Sequence, residues 1–114
     1  MIALMIASLP RRAGVENVEY ACSLIEDFDA NEKFDIVLLS FILEHVINPV
    51  EVIQKAARHC KPGGWLFVMV PNAESLHRRI GQKMGMLGEL TDLNETDHAQ
   101  GHRRVYTLGT LLAD

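Results

Sequence analysis

FDIVLLSFILEHVINPVEVIQKAARHCKPGGWLFVMVPN, residues 34–72, reads as strand, loop, helix, turn, strand. Asp35 to Phe41 is an apolar run too short for an ordinary globular helix and rich in Ile, Val and Leu, which suits a strand covered on both faces. Asn48-Pro49 starts a helix: Asn48 can cap free backbone N–H groups, and Pro49 stands in the first turn, where its missing N–H costs nothing. Val50, Ile53, Ala57 and Cys60 then recur at helical spacing and are expected to face a core, with Glu51, Gln54, Lys55 and Arg58 in water. Lys61-Pro62-Gly63-Gly64 stops the helix, and Trp65 to Val70 is a second apolar run. Such a β-α-β crossover joins parallel strands. The carboxyl ends of both strands, near Ser40-Phe41 and Val70-Pro71, therefore open onto one edge of the sheet, where ligands of open α/β sheets bind.

Outward from this unit, residues 1–13 read as a core-facing helix that begins without a capping residue. Gly14 ends it. Val18 to Cys22 is short, β-rich and partly alternating, a third strand that would be parallel if a helix precedes it. Ser23 to Lys33 carries Glu26, Asp27, Asp29 and Glu32 and reads as a solvated loop. Residues 73–87 are amphipathic, with His77, Arg78, Arg79 and Lys83 expected on a solvated helix face. Residues 89–104 are polar without an apolar period, the pattern of a lid or substrate loop. Thr107 is placed to cap a final helix whose apolar stripe starts with Leu108, Leu111 and Leu112.

The 114 residues suffice for one small domain, 48% of them are hydrophobic, and the net charge of −4 argues against a general polyanion binder. No nucleic-acid partner is expected. No apolar stretch is long enough to span a membrane, and Met1 to Leu9 lacks the basic flank of a signal peptide, so a membrane partner is not expected either. Cys22 and Cys60 have no metal-type spacing and read as packed, reduced thiols of a cytoplasmic protein. No GxGxxG follows a strand, and neither a GxxxxGK[ST] phosphate loop nor a GxSxG elbow is present.

Two constellations could carry chemistry. His98 and His102 stand four apart beside Asp97, but Ala99 occupies the position where a zinc-protease motif needs Glu, and Gly101 argues against a helix there. A pair of histidines in a substrate loop is the expectation, with no metal. Glu44-His45 lies just beyond the strand end and before the helix, so both can reach the binding edge. The competing reading is that His45 hydrogen-bonds a neighbouring loop and Glu44 is solvated.

FDIVLLS at 34–40, LEHV at 43–46, Pro49, KPGG at 61–64 and VPN at 70–72 together resemble the class I S-adenosylmethionine-dependent methyltransferases, in particular the broad small-molecule group. HRRVYTLGTLL at 102–112 is similar to a segment many of those enzymes carry before a late helix. The resemblance implies S-adenosylmethionine as cofactor, contacted by Ser40 and Phe41 at its methionine part and by Ser23 and Leu24 near the adenine, where Ser23 replaces a usual Asp. It implies a small-molecule acceptor and places His45 near the reaction centre; if the acceptor must lose a proton, the imidazole of His45 is the candidate catalytic base, and His98, His102, Arg103 and Tyr106 are expected to meet the acceptor. Some relatives bind Mg²⁺ through an ExxEH arrangement; Phe41 here replaces its first Glu and offers no oxygen to a hard cation.

The fold the resemblance implies is an α/β three-layer sandwich with a Rossmann-like parallel sheet, of which residues 1–114 are a partial domain. The first strands with their glycine-rich cofactor loop and the C-terminal strands are expected outside it. Unpaired strand edges are then expected to promote homo-oligomers, and the chain alone to be inactive. Two alternatives stay open: a truncated, non-catalytic binding or scaffold protein, and a nucleotide-dependent oxidoreductase.

Overall fold

The computed structural model describes residues 3–5, 21–25, 27–29 and 32–114. Its elements in chain order are β1 (Ala3–Met5), β2 (Cys22–Leu24), β3 (Phe34–Ser40), α1 (Pro49–Arg58), β4 (Cys60–Met69), α2 (Leu76–Lys83), α3 (Glu95–Ala99) and α4 (Leu108–Leu111). The centre is the expected β-α-β unit. β3 and β4 pair in parallel, with Ile36 opposite Trp65 and Ser40 opposite Met69. The fold is a small α/β arrangement around this parallel pair.

α1 begins as its sequence dictates. The Asn48 side chain accepts the Glu51 backbone N–H at 3.3 Å, and Pro49 follows at the first helical position. Pro49, Val52 and Ala56 are the buried residues of the helix, with Ile53 packed at the margin of the core. The buried stripe is thus centred one position before the expected one; Ala57 is exposed, and Cys60 belongs to β4 rather than to the helix. Small and branched side chains at i, i+3 and i+7 let α1 lie close on Leu39 of the sheet.

Only one face of the sheet is covered by described residues. Val37 and Leu39 of β3 and Leu66 and Val68 of β4 turn toward α1 and the core. Ile36, Leu38, Trp65, Phe67 and Met69 point the other way and are exposed. The sequence reading expects a strand covered on both faces; among the described residues α1 is the element that packs on this sheet, and it covers one face.

Lys61-Pro62-Gly63-Gly64 does lie past the helix end, but within β4, at a register irregularity between Phe34 and Ile36. Gly63 takes φ +80, and a Cβ on Gly64 would stand 2.8 Å from the Asp35 carbonyl oxygen. Lys61 Nζ closes the bend on the Asp35 carboxylate at 2.9 Å, and that hydrogen bond holds the Asp35 pKa below its ordinary value.

Toward the N-terminus the sequence reading needs two further corrections. Ala3–Met5 is extended, not helical, and it pairs antiparallel with β2, Met5 opposite Cys22. With a strand there, the helix that would have made β2 parallel is not the partner, and a direct antiparallel pairing takes its place. Ser23 and Leu24 belong to β2, not to the acidic loop. The rest of the expected helix over 1–13, and residues 18–20 of the expected strand, lie outside the described residues.

The polar segment after β4 is more ordered than its composition suggests. Asn94 and Asp97 form a reciprocal capping box around the five-residue α3, and Gly101 leaves it at φ +75. Thr107 caps α4 as expected, accepting from the Thr110 N–H. Between them the chain returns to the end of β4: the Ala73 N–H donates to the Tyr106 carbonyl at 2.7 Å, and Asn72 bridges to Tyr106 in parallel. That return brings residues 101–106 beside the loop leaving β3. No described helix is long and apolar enough to cross a membrane.

Candidate functional site

Phe41 follows β3 in the left-handed backbone region, φ 54, with its N–H donating to the Met69 carbonyl at 2.9 Å. This turn drops the chain out of the sheet into the 42–48 loop. Leu43 is fully buried there and anchors the loop to the core. The loop's carbonyls are then fixed by two arginines of the returning segment. The Arg103 N–H donates to Glu44 O at 2.7 Å and its Nε to His45 O at 3.0 Å. Arg104 reaches the carbonyls of Leu43, Val46 and Ile47 at 2.9, 2.7 and 3.1 Å. Bonds from charged donors are stronger than neutral ones, so this loop is held rigidly.

Two imidazoles meet at the result. The rings of His45 and His102 lie edge to face with centroids 4.9 Å apart. His45 Nδ1 is 3.3 Å from the Gly101 carbonyl oxygen, and His102 Nδ1 is 2.9 Å from Asp97 Oδ1. The other oxygen of Asp97 takes Arg78 at 2.9 Å in a buried ion pair, and Arg78 also donates to the carbonyls of Leu90 and Asp92. Burial opposes the charge on Asp97, but the Asn94 backbone N–H, Arg78 and His102 outweigh it, so its pKa lies below the ordinary carboxyl value. The third member is Glu44. Its side chain is 1% exposed, Oε1 lies 4.0 Å from His45 Nε2, and Oε2 has no hydrogen-bond partner among the described residues. One donor atom each from Glu44, His45 and His102 fall within 4.8 Å of one another, the described group with the make-up of a metal site.

The residues singled out from sequence divide accordingly. His45, His102 and Arg103 converge. His98 does not: it is exposed on α3, outside the cluster. Tyr106 is buried, donates to Asp114 Oδ2 at 3.0 Å, and has its pKa raised by burial and by Asp114. Phe41 and Tyr106 line a cleft of about 530 Å³ at the strand ends, with Val70, Asn72 and Leu108. Ser40 is exposed beside it. Ser23 lines a different cavity, of about 120 Å³, with Phe34, Leu39 and His59, and its hydroxyl donates to the Leu24 carbonyl.

Two sequence readings are overturned. Glu44 is buried, not solvated, because the 42–48 loop folds inward on Leu43. Arg78 is not on a solvated face; it is 4% exposed and ties α2 to the segment ahead of α3. Sequence reasoning names Asp97 only as a neighbour of the His98–His102 pair and does not mark Arg78 as part of the site. The usable signal is the Asn-x-x-Asp capping pattern at 94–97, which fixes the orientation of Asp97. The competing reading of His45 is half right, since its Nδ1 does bond a neighbouring loop.

Comparison with known proteins adds the family. The methyltransferase domain matches residues 6–113. Over 66 residues the chain is 36% identical to the ubiquinone biosynthesis O-methyltransferase of Bradyrhizobium sp. (strain ORS 278), covering 58% of this chain and 26% of that one. The Thiobacillus denitrificans protein of the same name is 38% identical over 72 residues, 61% of this chain and 31% of that one. The mitochondrial enzyme of that name from Candida albicans is 36% identical over 59 residues, 52% and 18%. The chain therefore spans about a fifth to a third of the length of these relatives. With a parallel β-α-β unit, the motif set along it and a family match over nearly its whole length, the chain belongs to the methyltransferase domain family.

Proposed function

We propose that this chain is part of an S-adenosylmethionine-dependent methyltransferase that methylates an oxygen on a small molecule. The observation that carries the reading is the convergence of His45 and His102 at the carboxyl edge of a parallel sheet whose sequence matches the methyltransferase domain. The names of the relatives, ubiquinone biosynthesis O-methyltransferases, favour oxygen over nitrogen or carbon.

The residues present suit the methyl donor in part. Phe41 is half exposed beside an open cleft, and Ser40 presents a free face next to it, so an apolar and a hydroxyl contact are available for a methionine chain. Ser23 keeps its oxygen lone pairs for an adenine amine while donating to Leu24. When bound, the donor supplies an electrophilic sulfonium methyl. The protein's own part is to align the acceptor, keep water away and take its proton. His45 is suited to accept that proton, because with Nδ1–H directed at the Gly101 carbonyl its Nε2 is left with a lone pair. His102, Arg103 and Tyr106 are the proposed acceptor contacts, with exposed His98 at the rim.

The same reading takes residues 1–114 as a partial domain of a three-layer, Rossmann-like sandwich, cytoplasmic, without nucleic-acid or membrane partners. In the protein that holds the donor, His45→Ala is expected to lower turnover about 100-fold, the usual reach of one general base, with the dissociation constant for S-adenosylmethionine unchanged. Radiolabelled methyl transfer to hydroxylated acceptors, alongside calorimetric titration of the donor, measures both. Equal losses in turnover and donor affinity would remove the base role. Donor binding without transfer to any acceptor would leave a binding or scaffold protein.

A further inference from the structure

We infer that Arg103 binds an anionic group, phosphate or carboxylate, carried by the molecule whose oxygen is methylated. The inference rests on the methyl-transfer reading for what the anion belongs to; the anion subsite itself stands on its geometry.

Two adjacent arginines divide the work. Arg104 spends its guanidinium inside the chain: one Nη donates to the carbonyls of Leu43 and Val46, the other to that of Ile47. Arg103 spends a single side-chain N–H, from Nε to the His45 carbonyl at 3.0 Å, and neither of its Nη atoms has a hydrogen-bond partner among the described residues. No described carboxylate forms an ion pair with either arginine. The backbone of Arg103 is held too, its N–H donating to the Glu44 carbonyl at 2.7 Å. Its main chain and one edge of its guanidinium are thus fixed, while four N–H donors of an exposed side chain stay unspent.

A guanidinium in this condition is preorganised for an anion. Its two Nη atoms form a planar fork that matches two oxygens of a carboxylate or a phosphate. With Nε already anchored, binding costs less side-chain freedom than at a fully solvated arginine.

The surroundings suit the same ligand. Arg103 and Arg104 line a cleft of about 530 Å³ together with Thr91, Leu93, Tyr106 and Asp114. Two guanidinium groups against one carboxylate leave this cleft positive on a chain whose net charge is −4. The Asp114 carboxylate accepts from the Tyr106 hydroxyl. Thr91 is exposed and adds a neutral donor, and Leu93 adds an apolar wall for a carbon skeleton. Tyr106 also lines the cleft at the strand ends, so its ring is a wall that both clefts share. Because Arg103 is anchored on the His45 carbonyl, the anion lies one residue from the imidazole proposed as base. The acceptor that fits is compact, with its hydroxyl and its anionic group a few bonds apart. An acceptor without the charge leaves the Arg103 fork unused, which is the basis of discrimination.

The test titrates the isotope-labelled 114-residue chain with phenyl phosphate, phenylacetate and the neutral phenylacetamide. The anions should shift the side-chain nitrogen resonances of Arg103 saturably and leave those of Arg79 unmoved, the amide should shift neither, and the tighter of the two anions names the group. Arg103→Gln should weaken anion binding at least about 10-fold, the worth of one hydrogen bond to a charged group. Lys83→Gln, the same charge change on α2, should not. If Arg103→Gln does not fold, the resonances of the unaltered chain decide. In the protein that holds the donor, para-hydroxyphenylacetate should show a KM at least about 10-fold below that of para-hydroxyphenylacetamide. Arg103→Lys, which keeps the charge and loses the fork, should lose most of that preference. Arg103 resonances that do not respond, binding undiminished in Arg103→Gln, or an equal loss in Lys83→Gln overturns the subsite. Binding on Arg103 with no preference for the acid in transfer overturns its assignment to the acceptor. Binding on Arg103 with no transfer to any acceptor upholds the subsite and counts against the methyl-transfer reading alone.

Discussion

Tyr106 shows how one side chain can tie the returning segment to the rest. It is 3% exposed, belongs to the core cluster with Leu39 and Leu43, and directs its hydroxyl at Asp114. Burial and the neighbouring carboxylate both disfavour phenolate, so its pKa is raised in the fold. A raised folded value means that the stabilisation is complete below the unfolded pKa, about 10, and disappears as pH rises through the folded one. Denaturant midpoints measured above pH 9 should therefore fall with pH, and Tyr106→Phe should flatten that fall; equal slopes in the two proteins would show that Tyr106 does not set it. At this scale much is legible in the sequence and some is not. His45, His102 and Arg103 stand out because a strand end and a late polar segment are places where chemistry gathers. Arg78 does not. A basic side chain on an amphipathic helix looks solvated, and its burial depends on Asp97, nineteen residues downstream, to which no helical or strand period points.

Among elements, β3, α1 and β4 are readable because each carries its own signal: an apolar run, an Asn-Pro cap, a Pro-Gly-Gly stop. What the period does not supply is context. Residues 3–5 read as helical because apolar residues without Gly or Pro fit either state, and pairing with β2 decides in favour of the strand. α3 escapes the sequence reading because five residues cannot show an apolar period, although its capping box is spelled in the sequence. The Lys61–Gly64 bend exposes the same limit, since the stop is evident but its position inside the ladder is not. Gly64 is the sensitive point there. A methyl group would meet the carbonyls of Asp35, Lys61 and Phe34 at 2.8, 3.0 and 3.3 Å, all backbone atoms of a paired strand or the bend itself. Gly64→Ala should cost about 1–3 kcal/mol, the usual range for forced overpacking, seen as a lower urea midpoint. Gly63→Ala tests the other mechanism, because its site is open but its φ is +80. If Gly64→Ala proves neutral, the register irregularity at Phe34 absorbs the methyl group and the bend is softer than its contacts indicate.

For the molecule as a whole, the one-sided sheet sets the next question. Ile36 and Trp65, 62% and 67% exposed, head a row that continues through Leu38, Phe67 and Met69, with Trp65 and Phe67 rings stacked at 6.3 Å. A contiguous apolar face of this kind is suited to pack against a second surface. Fully burying a large apolar side chain is worth about 1.5–3 kcal/mol; pairing two copies covers this row on each, every member already about half buried, so the gain is roughly 10 kcal/mol against an association cost of about 4–15 kcal/mol. The balance is close, which favours reversible, concentration-dependent pairing of copies over a permanent complex. Both strands of this sheet also present an unpaired edge among the described residues, and that adds hydrogen-bonding groups to the same contact. Sedimentation velocity on the 114-residue chain should show the mean mass rising with concentration. Leu38→Lys with Phe67→Lys should shift it to monomer while leaving the helical circular dichroism intact, because neither side chain belongs to the core that holds α1. A chain that stays monomeric at every concentration would mean that the face is covered within one molecule, by residues outside the described set. The doubly substituted chain would then lose stability rather than change mass, so the two arrangements are separated by a single pair of lysines.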